Sequence, residues 1–170
     1  MITLKYVILF LLGIGTALFV YPFFHESGHV LALLLFGEEI LSIEFFPLPN
    51  VTCKMSDMTN KVELFTVGLA GELLPFIIAA VTSCKGFWDW YFRLSMRLIC
   101  LISFVISLIS IQFYKTGTVF QQDDIVKIIS NFPQYTFICA VLLILLSTVT
   151  IRLIIKDIKE LNTKKIYAKF

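Results

Sequence analysis

Two histidines occur in this chain, and both lie in one five-residue stretch, His25-Glu26-Ser27-Gly28-His29. On a helix, residues i and i+4 share a face, so both imidazoles point the same way. That spacing lets two ring nitrogens reach one Zn²⁺ at about 2.0–2.1 Å. The carboxylate beside the first His can then act on a water molecule as general base. His25 and His29 are therefore candidate metal ligands, Glu26 is the candidate catalytic base, and Zn²⁺ is the expected cofactor. The bland alternative is that the three side chains merely pack a helix. Against it stands their place in an apolar segment, where a central charge costs about 2.5 kcal/mol or more and ionisable groups are functional by default.

A catalytic zinc site needs a third protein ligand and one open position. Asp123 and Asp124 follow a polar loop and open a helical stretch, and Glu72 sits within an apolar segment. Glu38 and Glu39 follow the motif too closely to fold back onto it. An adjacent Asp pair is also what a helix N-terminus prefers. At this level Asp123, Asp124 and Glu72 all stand as candidates.

These residues need positioning, and the composition says by what. Of the 170 residues 58% are hydrophobic and 15% charged, against about 45–50% and about 25% in soluble domains. The apolar residues are concentrated. Tyr6 to Phe24, Leu98 to Tyr114 and Ile128 to Ile151 carry no charge, and Leu64 to Cys84 carries only Glu72. A spanning helix needs about 20 such residues. The expected fold is an all-α membrane protein, one domain over 1–170, with four transmembrane helices at about 5–36, 62–83, 92–114 and 133–155. A basic tail occupies 156–170. The first segment exceeds one bilayer thickness, so it is either one span with overhang or a helix kinked at Pro22. It also runs past signal-peptide length without a clear cleavage site, so it reads as mature protein. Cys53, Cys84, Cys100 and Cys139 lie far apart and form no CxxC pair, which argues against a thiolate zinc site.

Between the first two spans, Gly37 to Lys61 does not read as helix. Residues 40–46 alternate until Pro47 and Pro49 end the run. A β-hairpin-like pair of short strands and an interfacial loop are equally compatible with this pattern. Trp88, Trp90 and Tyr91 suit a membrane interface at a loop. Lys5, the Lys85–Arg97 stretch and the tail place basic residues on one side, which the positive-inside rule makes cytoplasmic, with both termini. Membrane lipid and a membrane protein are the expected partners; nucleic acid is not.

The chain resembles the site-2 protease family of intramembrane zinc metalloproteases. His25-Glu26-Ser27-Gly28-His29 carries the resemblance most specifically. Gly37-Glu38-Glu39-Ile40-Leu41-Ser42-Ile43 is similar to the family's exit into a membrane-associated sheet. Leu69-Ala70-Gly71-Glu72-Leu73-Leu74-Pro75 resembles its second motif, and Asp123-Asp124 the Asp-Gly element that supplies its third ligand. The resemblance covers roughly residues 10–135. It implies a zinc-dependent endopeptidase cleaving transmembrane substrates, with Asp124 as third ligand and Asp123 as cap. It also implies substrate contacts at Ile43, Glu44, Phe45 and Gly71, the first three through an edge strand. Two positions depart from the pattern. Glu72 stands where the family has Pro, and Pro75 where it has an Asn that assists substrate binding. No Gly follows either Asp. In some family members the catalytic end faces the cytoplasm, opposite to the side that the basic residues indicate here. Two rival readings follow from the departures: a membrane zinc protease of another class using Glu72 as ligand, or a non-catalytic metal-binding partner protein.

Overall fold

Pro22 decides the shape of the first apolar segment. It has no N–H for the carbonyl one turn earlier, and the ladder widens just before it. The structure, a computed structural model, describes residues 2–44, 49–53, 61–116 and 123–164. In it α1 (Ile2–Gly15) runs through a π-helical turn (Thr16–Val20) into α2 (Tyr21–Phe36). The Tyr21 N–H reaches back five residues to the Thr16 carbonyl. The first segment is thus one continuous helix with a π-bulge one turn before His25, a place where such bulges often mark function.

Gly37 ends α2. Its φ is 74°, a left-handed conformation that favours glycine. Its N–H bonds to the Leu34 carbonyl and that of Glu38 to the Leu33 carbonyl, the double bond of a Schellman stop. The chain then forms β1 (Ile40–Glu44) and β2 (Asn50–Cys53). They pair antiparallel with Ser42 opposite Thr52 and Ile43 opposite Val51, and the register is irregular between Ile40 and Ser42. The alternation after Gly37 is therefore a small sheet.

Three further long helices follow: α3 (Lys61–Val81), α4 (Phe87–Phe113) and α6 (Thr136–Lys164), with the short α5 (Asp124–Asn131) between the last two. Among the described residues, four helical runs are long and apolar enough to cross a membrane: Leu4–Phe36, Lys61–Val81, Phe87–Phe113 and Pro133–Leu161. Outward-facing side chains such as Phe10, Leu35 and Phe137 are largely exposed. Both features are compatible with an integral membrane protein.

Two boundaries differ from the sequence expectation for a shared reason. The third long helix begins at Phe87, ahead of the span expected from 92, so Trp88, Trp90 and Tyr91 belong to its first turns. The last helix continues through Lys164, into the stretch read as a basic tail. Charged residues there blur the apolar signal, yet they are paired inside the fold. Asp157 is fully buried and meets Arg93 and Arg97, each at 2.6 Å, while Glu160 meets Arg93 at 2.9 Å. Arg97 also donates to the Ala79 and Ala80 carbonyls, satisfying groups at the end of α3 that have no helical partner. Arg93 and Arg97 are therefore helix-locking residues rather than loop charges.

The core lies where α3, α4, α5 and α6 meet. Met96, Cys100 and Phe104 of α4 pack with Ile125, Ile128 and Ile129 of α5 and with Cys139 and Leu143 of α6. All eight are fully buried. A second cluster of Ala32, Leu33 and Val67 joins α2 to α3, with Ile40 and Val51 packed on it. So α2 is held between α3 and the sheet, and α5 between α3 and α4. These packings carry His25, Glu26, His29 and Asp124 to one place.

Candidate metal centre

The N-terminus of α5 meets the middle of α2. Asp124 Oδ2 lies 3.0 Å from His25 Nε2 and 3.0 Å from His29 Nε2, and the two Nε2 atoms are 3.2 Å apart. Among the described residues these three form a group able to hold one metal ion. A tetrahedral ion with bonds of about 2.0–2.1 Å separates its ligand atoms by about 3.3 Å, close to what is seen.

The donors themselves call for a cation. His29 Nδ1 lies 2.8 Å from the Val67 carbonyl. A carbonyl only accepts, so Nδ1 carries a proton, and in the neutral ring Nε2 presents a lone pair. That lone pair faces the Asp124 carboxylate. His29 Nε2 and Asp124 Oδ2 are thus two acceptors 3.0 Å apart, which repel unless positive charge sits between them. A metal ion bound by both, with His25 Nε2 as a further donor, meets that need, so the residues present fit a metal. The Val67 carbonyl is the outer partner that fixes ring orientation at such sites. His25 is positioned by packing instead: its ring lies between those of Tyr21 and His29, at 6.0 and 4.8 Å.

The outer oxygen of Asp124 accepts from Lys127 Nζ at 2.9 Å. Burial works against a charge on Asp124. The contact with His25 and the nearby Lys127 ammonium outweigh it, holding the carboxyl well below the usual range. Asp123 does something else. Its side chain caps α5, accepting from Ile125 N and Val126 N at 2.9 and 3.2 Å. Ser107 donates to its other oxygen at 2.8 Å. Burial pushes the Asp123 carboxyl up, against those donors. Glu72 is buried and also occupied: Tyr21 donates to it at 3.2 Å and Ser103 at 2.9 and 3.0 Å.

Two glycines let the helices approach this closely. A Cβ on Gly28 would overlap the Ala70 carbonyl oxygen and lie 2.6 Å from the Ala70 carbonyl carbon; one on Gly71 would lie 2.5 Å from His29 Nε2. Gly71 thus makes room for the imidazoles. The atoms opposing Gly28 are backbone, so no rotamer change relieves them. Gly28→Ala is expected to destabilise the protein by about 1–3 kcal/mol, the usual cost of overpacking. Thermal unfolding in detergent checks this, with Gly15→Ala as control, since a Cβ at Gly15 meets nothing within 4 Å.

Glu26 projects from the same helix into a cavity of about 600 Å³, whose wall also includes His25, His29, Asp124 and Lys127. Its Oε2 accepts the Val51 N–H at 3.1 Å. That N–H therefore points away from β1, and the strand whose outer edge faces the site is β2. Ile43 and Glu44 of β1 line a second, smaller cavity, and Phe45 lies outside the described residues. The backbone group that the structure brings to Glu26 is thus Val51 N–H of β2. The Val67 carbonyl and the Val51 N–H escaped sequence reading because backbone groups leave no residue-type signature. Comparison with protein-family models, with curated proteins and with solved structures finds no match for this chain.

Proposed function

We propose that this chain is a multi-pass intramembrane zinc endopeptidase of the site-2-protease type, hydrolysing peptide bonds of transmembrane substrates. The observation that carries the reading is the convergence of His25 Nε2, His29 Nε2 and Asp124 Oδ2, with the Glu26 carboxylate on the wall of the same cavity. His25, His29 and Asp124 hold the ion, which supplies Lewis acidity for a carbonyl and for water. Glu26 accepts a proton from the attacking water and returns it to the leaving amine nitrogen. The outer edge of β2 receives an unwound substrate segment by strand addition. Val51 N–H, now bonded to Glu26, is the group on that edge nearest the chemistry. Lys127 and Val67 act through the ligands that they touch. The termini lie on the cytoplasmic side by the placement of Lys5, Lys85 and the basic residues of the C-terminal stretch.

The bonds of Glu72 to Tyr21 and Ser103 favour Asp124 as third ligand over a Glu72-centred site. A non-catalytic metal-binding protein is the second reading, favoured by Pro75 at the place of the substrate-binding Asn. Metal removal separates the two. Purified protein in proteoliposomes is expected to contain one zinc per chain. It is expected to cleave single-span membrane proteins, to stop after chelation and to resume with added Zn²⁺. New peptide termini read by mass spectrometry give the result. Absence of zinc sinks the proposal, and zinc without cleavage selects the second reading.

A further inference from the structure

The smaller cavity, about 310 Å³, lies between α2 and the sheet. It shares two residues with the larger one, Glu26 and Val51. These are the proposed proton carrier and the edge residue bonded to it, so the two cavities share a wall at Glu26. Phe23, Val30 and Leu31 of α2, Ile43 and Glu44 of β1 and Pro49 just before β2 complete the lining, and apart from the Glu44 carboxylate these are apolar. Ser27 also reaches the wall, but its hydroxyl donates to the Phe23 carbonyl at 2.7 Å, and Glu26 is turned to Val51. A space this size equals about ten waters at about 30 Å³ each, and its walls give water few partners. An apolar group fits it better.

A segment paired to the outer edge of β2 would send alternate side chains to opposite faces. The α2 residues of this cavity lie on the turns either side of Glu26, so one face of that segment would look toward it. We infer that the cavity is a side-chain pocket selecting a bulky apolar residue, such as Leu or Phe, beside the cleaved bond. This rests on the peptidase reading, and its test separates the two.

Zinc-loaded protein in proteoliposomes is given a library of synthetic single-span peptides randomised at the central positions. Cleavage sites and retained peptides are both sequenced. Wild type is expected to favour Leu or Phe over Ala or Gly at one flanking position by about tenfold or more. Val30→Phe fills the pocket from the helix side and Ile43→Trp from the sheet side. Each is expected to reverse that preference while zinc content stays unchanged. Cleavage with an unaltered profile in both variants overturns the pocket and leaves the peptidase reading intact. Absence of cleavage by wild type overturns the peptidase reading. In that case, enrichment of bulky apolar residues among retained peptides, lost in Val30→Phe, upholds the pocket as a binding site. No enrichment removes it as well.

Discussion

Glu26→Gln is expected to lower the rate of substrate cleavage by about 10²–10⁴-fold, the usual contribution of a positioned general base, while zinc content stays at the wild-type level. The choice of Gln matters. Glu26 has two roles open to it: it accepts the Val51 N–H, and it lines the cavity beside the metal ligands. An amide oxygen still accepts from Val51, so the attachment of β2 to α2 survives. What the amide cannot do is take a proton from water. Glu26→Ala loses both functions and confuses them. A turnover defect in Glu26→Gln with normal zinc and normal thermal stability therefore isolates proton transfer. If Glu26→Gln cleaves at the wild-type rate, Glu26 is a structural tether and the base must be sought elsewhere. A variant with low zinc would instead show that the carboxylate helps to hold the ion.

The residues of the fold and of the candidate site are legible in the sequence to different degrees. Four long apolar segments are visible because about 20 uncharged residues in a row leave a local signal, and the structure has four long apolar helices there. Their ends were harder to place. Arg93 and Arg97 look like loop charges in one dimension, and Asp157 and Glu160 like charges of a tail. In three dimensions Arg93 and Arg97 neutralise Asp157 and Glu160 inside the helical layer. Pairing partners about 60 residues apart leave no local pattern. At the site, the i, i+4 spacing of His25 and His29 is a local signal, and Gly28 between them is a local requirement for contact with Ala70. Asp124 is 99 residues from His25, so composition and spacing left it beside Asp123 and Glu72. Only the resemblance ranked it first. The occupations of the other two carboxylates, by Ser107 and by Tyr21 with Ser103, depend on hydroxyl groups that could have pointed anywhere.

Those occupations make the third ligand testable by three substitutions with different expected outcomes. Asp124→Ala removes the oxygen 3.0 Å from both imidazoles and leaves two nitrogens and no anionic ligand. Losing an outer partner of a metal site typically costs 10–100-fold in affinity, and losing a direct ligand is expected to cost more. Zinc should be lost on dialysis and activity with it. Asp123→Ala removes a helix cap, worth about 0.5–2 kcal/mol, so it should lower the unfolding temperature while zinc remains bound. Glu72→Gln keeps an oxygen that can accept from Ser103 and Tyr21 and should retain zinc. The pattern across the set is what discriminates. Retention by Asp124→Ala together with loss in Glu72→Gln would transfer the ligand to α3 and recast the site as another class of membrane zinc enzyme. Loss in Asp123→Ala alone would mean that the start of α5 presents its other carboxylate to the imidazoles. Loss confined to Asp124→Ala ties the metal to the junction of α2 and α5, where a substrate strand on β2 can meet Glu26.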